Sequence, residues 1–149
     1  MNSPTKKVTI TMKSVSAACG SSPDIIELIT DGTLSEITMN DEIGWAISYE
    51  DSEATGFAGA VTTVSCFGER LASMKRTGTA ESHLIIENGR RHHCHYGTEY
   101  GEMLMGISTS RIINRMTADG GELYFKYSID INSALVSENE VYLEVKVKE

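Results

Sequence analysis

The chain has 149 residues, of which 40% are hydrophobic and 23% charged, and a formal net charge of −8 at pH 7. This length and composition are typical of a single globular domain over residues 1–149 and exclude a disordered chain. The negative charge argues against a nucleic-acid partner, because binding to phosphates begins with a basic surface. No apolar run approaches the ~18 residues of a membrane span, so we expect no membrane partner.

The cysteines and the first residues of the chain bear on its cellular compartment. Cys19, Cys66 and Cys94 are an odd and widely spaced set. Such a set fits reduced thiols better than a disulfide framework. From Val8 to Met12 apolar and polar residues alternate, which is typical of a strand and not of a signal peptide. We therefore expect a cytoplasmic protein.

The first half of the chain alternates between short apolar patterns and turn signals. Val8 to Met12 predicts a first strand with one apolar face. Asp31-Gly32 then predicts a type I′ hairpin turn, and Asn40-Asp41 predicts another turn. Ile43 to Tyr49 predicts a further strand, and the polar stretch Glu50 to Gly59 predicts a long loop with a charged start.

In the second half the turn signals come at shorter intervals. Gly68-Glu69 suits a type II′ turn, and Asn88-Gly89 is the strongest hairpin signal in the chain. Two more turns are predicted at 119–121 and at Ser137-Glu138-Asn139. A helix over 134–147 competes with a strand there, but the β-branched valines and the strict alternation favour the strand.

Nine or ten strands joined by tight turns need a common interior. A flat sheet of that size leaves unpaired edges, whereas a barrel removes them. We therefore predict an all-β fold, a single antiparallel and mostly up-and-down barrel of about 8–10 strands, similar to a lipocalin. A two-sheet sandwich remains the alternative.

Five stretches of the sequence carry a resemblance to a known family, namely Glu53–Thr63, Arg76–Gly78, Tyr96–Gly101, Met105–Ile107 with Thr109, and Gly121–Ile131. They resemble the YwiB-like family, a group of small bacterial proteins of uncharacterised activity. In that family the position of Glu99 is commonly proline, so this chain departs from the pattern at one turn. The resemblance implies a calycin-like barrel and no activity that could be carried over.

A histidine-rich segment, 90–96, follows the Asn88-Gly89 turn. Strand alternation places His93 and His95 on one face and His92 and Cys94 on the other. A two-residue hairpin turn at Asn88-Gly89 would set His83 opposite Cys94, on the face of His92. The group of His83, His92 and Cys94 is then the best candidate for adventitious metal binding, and a slip of one residue reverses that assignment.

The pattern His93-x-His95-x-x-x-Glu99 resembles half of the first cupin motif. The second cupin motif needs a proline and glycine that this chain lacks, because its only prolines are Pro4 and Pro23. The simplest interpretation is a solvent-exposed, histidine-rich strand beside a turn, and we expect no metal and no cofactor. A metal-dependent enzyme that uses residues 92–95 remains an alternative, and we find no candidate catalytic residue elsewhere.

Arg76 continues the less polar face formed by Ala72 and Met74. If that face is interior, the guanidinium needs an anionic partner or a ligand carboxylate. Otherwise Arg76 projects into water or pairs with a nearby glutamate such as Glu81.

We expect a protein that is not an enzyme and binds a small apolar or amphipathic molecule inside the barrel. The alternative is a solid barrel that acts as a structural or protein-interaction module, and either form can be a monomer or a homodimer. The candidate ligand-binding residues are Trp45, Met74, Arg76, Tyr96, Met103, Met105, Thr109, Phe125 and Tyr127.

Overall fold

A computed structural model describes residues 5–18, 20–52, 58–79, 81–98 and 101–148, with backbone alone for 95–98 and 101–103. Across these ranges no helix is long and apolar enough to cross a membrane. Ten strands account for most of the described residues. They are β1 (Lys6–Ala18), β2 (Asp24–Met39), β3 (Glu42–Glu50), β4 (Ala60–Phe67), β5 (Leu71–Gly78), β6 (Ser82–Glu87), β7 (Arg91–Thr98), β8 (Gly101–Asn114), β9 (Gly120–Ile131) and β10 (Ala134–Val147).

All ten strands belong to one antiparallel sheet, in the order β6-β5-β4-β3-β2-β1-β10-β9-β8-β7. Each strand pairs with its neighbours in sequence, except that β6 does not pair with β7. The first and last strands pair with each other over 11 residue pairs, from Val8↔Val147 to Ala18↔Ser137. The sheet curls into a nearly closed barrel. The prediction of an all-β, antiparallel, up-and-down barrel is confirmed.

The seam of this barrel lies between β6 and β7, at the two ends of the sheet order. The predicted Asn88-Gly89 hairpin is therefore wrong, although the turn itself forms, with Arg90 N–H donating to Glu87 O at 3.1 Å. Gly89 has φ +80° while Asn88 has a negative φ, which is the pattern of a type II turn. Type II turns splay the flanking strands instead of pairing them. Asn88 accordingly leaves the hairpin geometry and bridges Thr109 on β8.

Two other predicted turns are wrong because the strand runs straight through them. β2 is continuous across Asp31-Gly32, where Gly32 faces Val8 on one side and Tyr49 on the other. β10 likewise continues through Ser137–Asn139, and the real turn is Asn132-Ser133, both with positive φ. The predicted Asn40-Asp41 turn is confirmed, with φ of 50° and 65°, as a type I′ turn requires.

The β4–β5 connection also differs by one residue from the prediction. Phe67 is opposite Leu71, so the loop contains three residues, 68–70, instead of a two-residue type II′ turn. This shift sets Thr62 opposite Arg76. Because side chains alternate along a strand, one residue of register decides which side chains meet inside the barrel.

The core fills most of the barrel with side chains from nearly every strand. Val8, Ile10 and Met12 on β1 are 0%, 0% and 6% exposed, as their alternation predicts. Larger side chains close the middle. The fully buried ones include Phe125, Leu34, Ile47, Ile86, Ile107, Leu123 and Leu143. The interior is therefore solid over most of its length, and what space remains lies toward one end.

The seam carries a contact that should make stability depend on pH. Glu87 Oε1 on β6 lies 2.7 Å from His92 Nε2 on β7. This hydrogen bond to His92, supported by nearby Arg90, holds the pKa of Glu87 below its usual value of 4.5. A carboxyl whose pKa is lowered in the folded state stabilises the fold above its ordinary pKa. That stabilisation is lost as the pH falls through the lowered value.

We therefore expect Glu87→Gln to lower the melting temperature at neutral pH and to lose this effect as the pH falls below the ordinary carboxyl pKa of 4.5. Thermal unfolding from pH 7 downward measures the difference between the variant and the wild type. Glu138→Gln, on an exposed part of β10, is the matched control. A difference that stays constant as the pH falls below 4.5 would show that Glu87 does not act through its charge.

Candidate binding site

A cavity of about 180 Å³ lies toward one end of the barrel, next to the packed core, and core residues form part of its lining. Seven strands contribute to it, and its lining is mixed. One part is apolar and the other carries hydroxyl groups and one guanidinium. The lining residues are Met12, Ser14, Ile26, Tyr49, Met74, Arg76, Ser82, Leu84, Tyr127 and Val141.

The polar part of the lining follows from strand register. Tyr49 on β3 is opposite Thr62 on β4, Thr62 is opposite Arg76 on β5, and Arg76 is opposite Ser82 on β6. Directly opposite residues in an antiparallel sheet point to the same face. Four adjacent strands thus place a row of polar side chains at one level of the interior.

Arg76 is held in this row by Asp51. Its Nε lies 3.3 Å from Asp51 Oδ2 and 3.1 Å from Thr62 Oγ1. Thr62 in turn donates to Asp51 Oδ2 at 2.5 Å. The side chains of Arg76 and Asp51 are only 18% and 0% exposed. The three residues form a buried, charge-compensated cluster.

Asp51 corrects the interpretation of its segment as a charged loop. It follows β3 directly, its N–H donates to Ala60 O at 2.8 Å, and its side chain turns inward. Of the two interpretations of Arg76, the structure shows the interior one, with Asp51 as the anionic partner. Residues 53–57 of the predicted loop lie outside the described residues.

Two tyrosines place their hydroxyl groups at the cavity. Burial raises the pKa of Tyr127 to about 12, partly offset by the positive charge of Arg76. Burial also raises the pKa of Tyr49, and the nearby Asp51 carboxylate raises it further. Both phenols therefore keep their protons at neutral pH and are available as hydrogen-bond donors.

Eight of the nine candidate residues named from sequence fall into three groups. Met74, Arg76 and Tyr127 line the cavity. Phe125 and Met105 are 0% and 8% exposed, and Phe125 belongs to the packed core, against which Trp45 also packs. The side chains of Tyr96 and Met103 lie outside the described residues.

Thr109 lies opposite Tyr127 across β8 and β9, next to a bulge. Its Oγ1 is buried and has no hydrogen-bond partner among the described residues. Thr109 and Tyr127 are therefore two hydroxyl-bearing residues at paired positions of β8 and β9.

The histidine-rich segment is held by ion pairs and hydrogen bonds within its own strand and to residues of β6 and β9. His92 contacts Glu87, and His93 Nε2 lies 2.8 Å from Arg91 Nη1, while Arg91 also pairs with Asp130. The described residues contain no group of three or more metal-ligating side chains. The side chain of His95 lies outside the described residues.

The predicted approach of His83 to Cys94 is wrong. His83 is on β6 opposite Lys75, and Cys94 is on β7 opposite Met105. The two strands diverge at the type II turn, so the register counted outward from that turn does not exist. The alternation within the segment is as predicted, with His93 exposed and Cys94 half-buried.

Sequence reasoning missed Tyr49, Thr62, Asp51 and Ser82 as members of the site. One signal was present, because Thr62 sits between Ala60 and Val64 on an otherwise apolar inward face. A polar residue in such a position needs a partner inside. The identity of that partner required the register of three hairpins.

Fold and site together define a small antiparallel β-barrel with a filled interior and a partly polar cavity. A family model described as a domain of unknown function (DUF1934) matches residues 10–143, and the chain belongs to this family. The crystal structure of the ywiB protein from Bacillus subtilis is similar, with a TM-score of 0.64 at 18% identity over 94% of this chain and 92% of that chain. The predicted membership of the YwiB-like family is thus confirmed.

At this level of identity the similarity to the ywiB structure establishes the fold alone. No protein of curated function is significantly similar in sequence. The function must therefore be argued from the cavity itself.

Proposed function

We propose that this protein binds a small amphipathic molecule in the barrel cavity, as a non-enzymatic binding protein with a calycin-like barrel. The observation that carries the proposal is a largely buried arginine, paired with the fully buried Asp51, at the edge of a cavity of about 180 Å³. Burying a charged side chain is costly. A larger apolar side chain at this position could replace the arginine and fill the adjacent space. The presence of a charged side chain beside an open cavity therefore favours a binding role over a purely structural one.

The size and lining of the cavity limit the ligand. An apolar cavity of about 150 Å³ in another protein holds benzene, so this space suits a molecule of about six to ten non-hydrogen atoms. Met12, Met74, Leu84 and Ile26 offer apolar contacts. Methionine is flexible and polarisable, which helps a pocket adapt to its ligand.

The test is native mass spectrometry of untagged protein purified from its own host. We expect a bound mass of about 100–200 Da, consistent with the cavity size. Ser82→Phe, which fills the cavity from β6, should lose that mass. Ser73→Phe is the matched control, because Ser73 alternates with the inward-facing Ala72 and Met74 on β5 and points away from the interior.

A bare chain that also fails to bind any member of a small-molecule panel would contradict the proposal. It would favour the alternative of a solid interaction module, and the same spectrum would report whether the chain is a monomer or a homodimer. We propose a cytoplasmic location, which the free thiols of Cys66 and Cys94 support. Burial raises the pKa of the Cys66 thiol to about 11. Such a thiol resists oxidation and needs no disulfide partner.

A further inference from the structure

We infer that the ligand of this cavity is electrically neutral and carries a hydrogen-bond acceptor, such as an amide, ketone or alcohol oxygen, and is not a carboxylate. The inference rests on the proposed function and names the chemical class of ligand at the same site. Two independent features of the lining carry it: the charge balance and the hydroxyl donors.

The positive charge at the cavity already has its counter-charge. Among the described residues that line the cavity, Arg76 alone carries a charge. Asp51, directly behind it, contributes a carboxylate that is 0% exposed at 3.3 Å. A ligand carboxylate beside Arg76 would bring a second negative charge into the same poorly solvated region. One guanidinium would then have to pair with two carboxylates. Like charges at such a distance disfavour each other strongly when buried.

The hydroxyl donors, in contrast, are poorly matched within the protein. Tyr127 is 7% exposed, lines the cavity, and its hydroxyl makes no hydrogen bond with any residue that the structure describes. The hydroxyl of Tyr49 donates to the thioether of Met12 at 3.4 Å, a weak acceptor, and also interacts with the Thr62 hydroxyl, so Tyr127 is the better donor for a ligand. The Tyr127 hydroxyl lies at the cavity without an acceptor among the described residues, so an acceptor atom on the ligand would gain most here.

The remaining lining sets the rest of the molecule. Met74, Leu84, Ile26 and Val141 surround the space with apolar surface. An apolar body of about benzene size with one neutral acceptor atom matches this arrangement. Each part of the ligand then meets a lining of its own polarity.

The experiment compares three probes of similar shape: benzamide, benzoate and toluene. Binding is followed at pH 7.5 by NMR of labelled methionine methyl groups, since Met12 and Met74 line the cavity whereas Met39 lies on the exterior. We expect benzamide to bind at least about tenfold more tightly than benzoate. Benzoate binding as tightly as benzamide would overturn the inference and leave the proposed site in place. No binding by any of the three would overturn both.

A variant tests the donor directly. Tyr127→Phe should weaken benzamide about three- to tenfold, the usual effect of losing one hydrogen bond, and leave toluene unchanged. The variant should fold, because it removes a hydroxyl that has no hydrogen bond within the described structure. Tyr124→Phe, on the outer face where the hydroxyl donates to Glu140 at 2.6 Å, is the control and should change neither probe. Equal weakening of benzamide and toluene would show that the hydroxyl is not the donor.

Discussion

Replacement of Arg76 with methionine is expected to destabilise the protein by about 3–5 kcal/mol, the cost of breaking a buried ion pair from one side. The substitution keeps most of the volume of the side chain but takes the cation away from Asp51, whose side chain is 0% exposed. What remains is a buried carboxylate without its cationic partner. Urea denaturation measures the change as a lower midpoint at an unchanged slope.

Two further variants separate charge from packing. Arg70→Met breaks a pair with Glu42 whose side chains are 52% and 41% exposed, and it should cost no more than about 1 kcal/mol. Asp51→Asn combined with Arg76→Met should be more stable than Arg76→Met alone, because the uncompensated charge is gone. If Arg76→Met costs no more than Arg70→Met, the buried cluster does not contribute as its geometry indicates.

Gly32→Ala is the second substitution with a large expected effect, and it should lower the free energy of unfolding by about 3 kcal/mol or more. A Cβ at this position would lie 2.3 Å from Ser48 O and 2.5 Å from Ile10 Cδ1. Ser48 O belongs to the backbone of β3, which cannot move without breaking the β2–β3 ladder. Gly32 is where β2 pairs with β1 and β3 at once, so this close approach is part of the barrel's curvature.

Gly89→Ala is the comparison for Gly32→Ala. Gly89 has φ +80° but nothing lies within 4 Å of a Cβ placed there, so only backbone strain of about 1–2 kcal/mol is expected. Thermal and urea unfolding of both variants rank the two effects. A cost for Gly32→Ala as small as that for Gly89→Ala would mean that β3 relaxes easily at Ser48.

The candidate site could be foreseen only in part. The alternation of Ala72, Met74 and Arg76 placed the arginine on the interior face, and its need for an anion followed from the cost of burying a charge. The anion itself is Asp51, in a stretch that looks like an ordinary charged loop. Its inward turn depends on the backbone bond to Ala60 across the loop. Local sequence carries no signal for such a contact.

The turns likewise include one that local sequence predicts correctly and one that it does not. Asn40-Asp41 was identified correctly because a type I′ turn needs two residues that tolerate positive φ. Asp31-Gly32 has the same kind of composition and is not a turn. There the glycine is needed because the backbone of β3 approaches too closely for a side chain. In the sequence, a glycine selected for lack of a side chain looks the same as one selected for its backbone angle.

By itself, the sequence determined the fold class, a range of about 8–10 strands, the inward face of strands such as β1, and the family, because alternation and turn chemistry are local properties of the chain. Tertiary structure alone decided the position of the seam, the three-residue β4–β5 loop and the partner of Arg76. Each of these depends on register between strands, and a shift of one residue exchanges every inward and outward side chain. The cavity is a product of that register, and so is the chemistry proposed for its ligand.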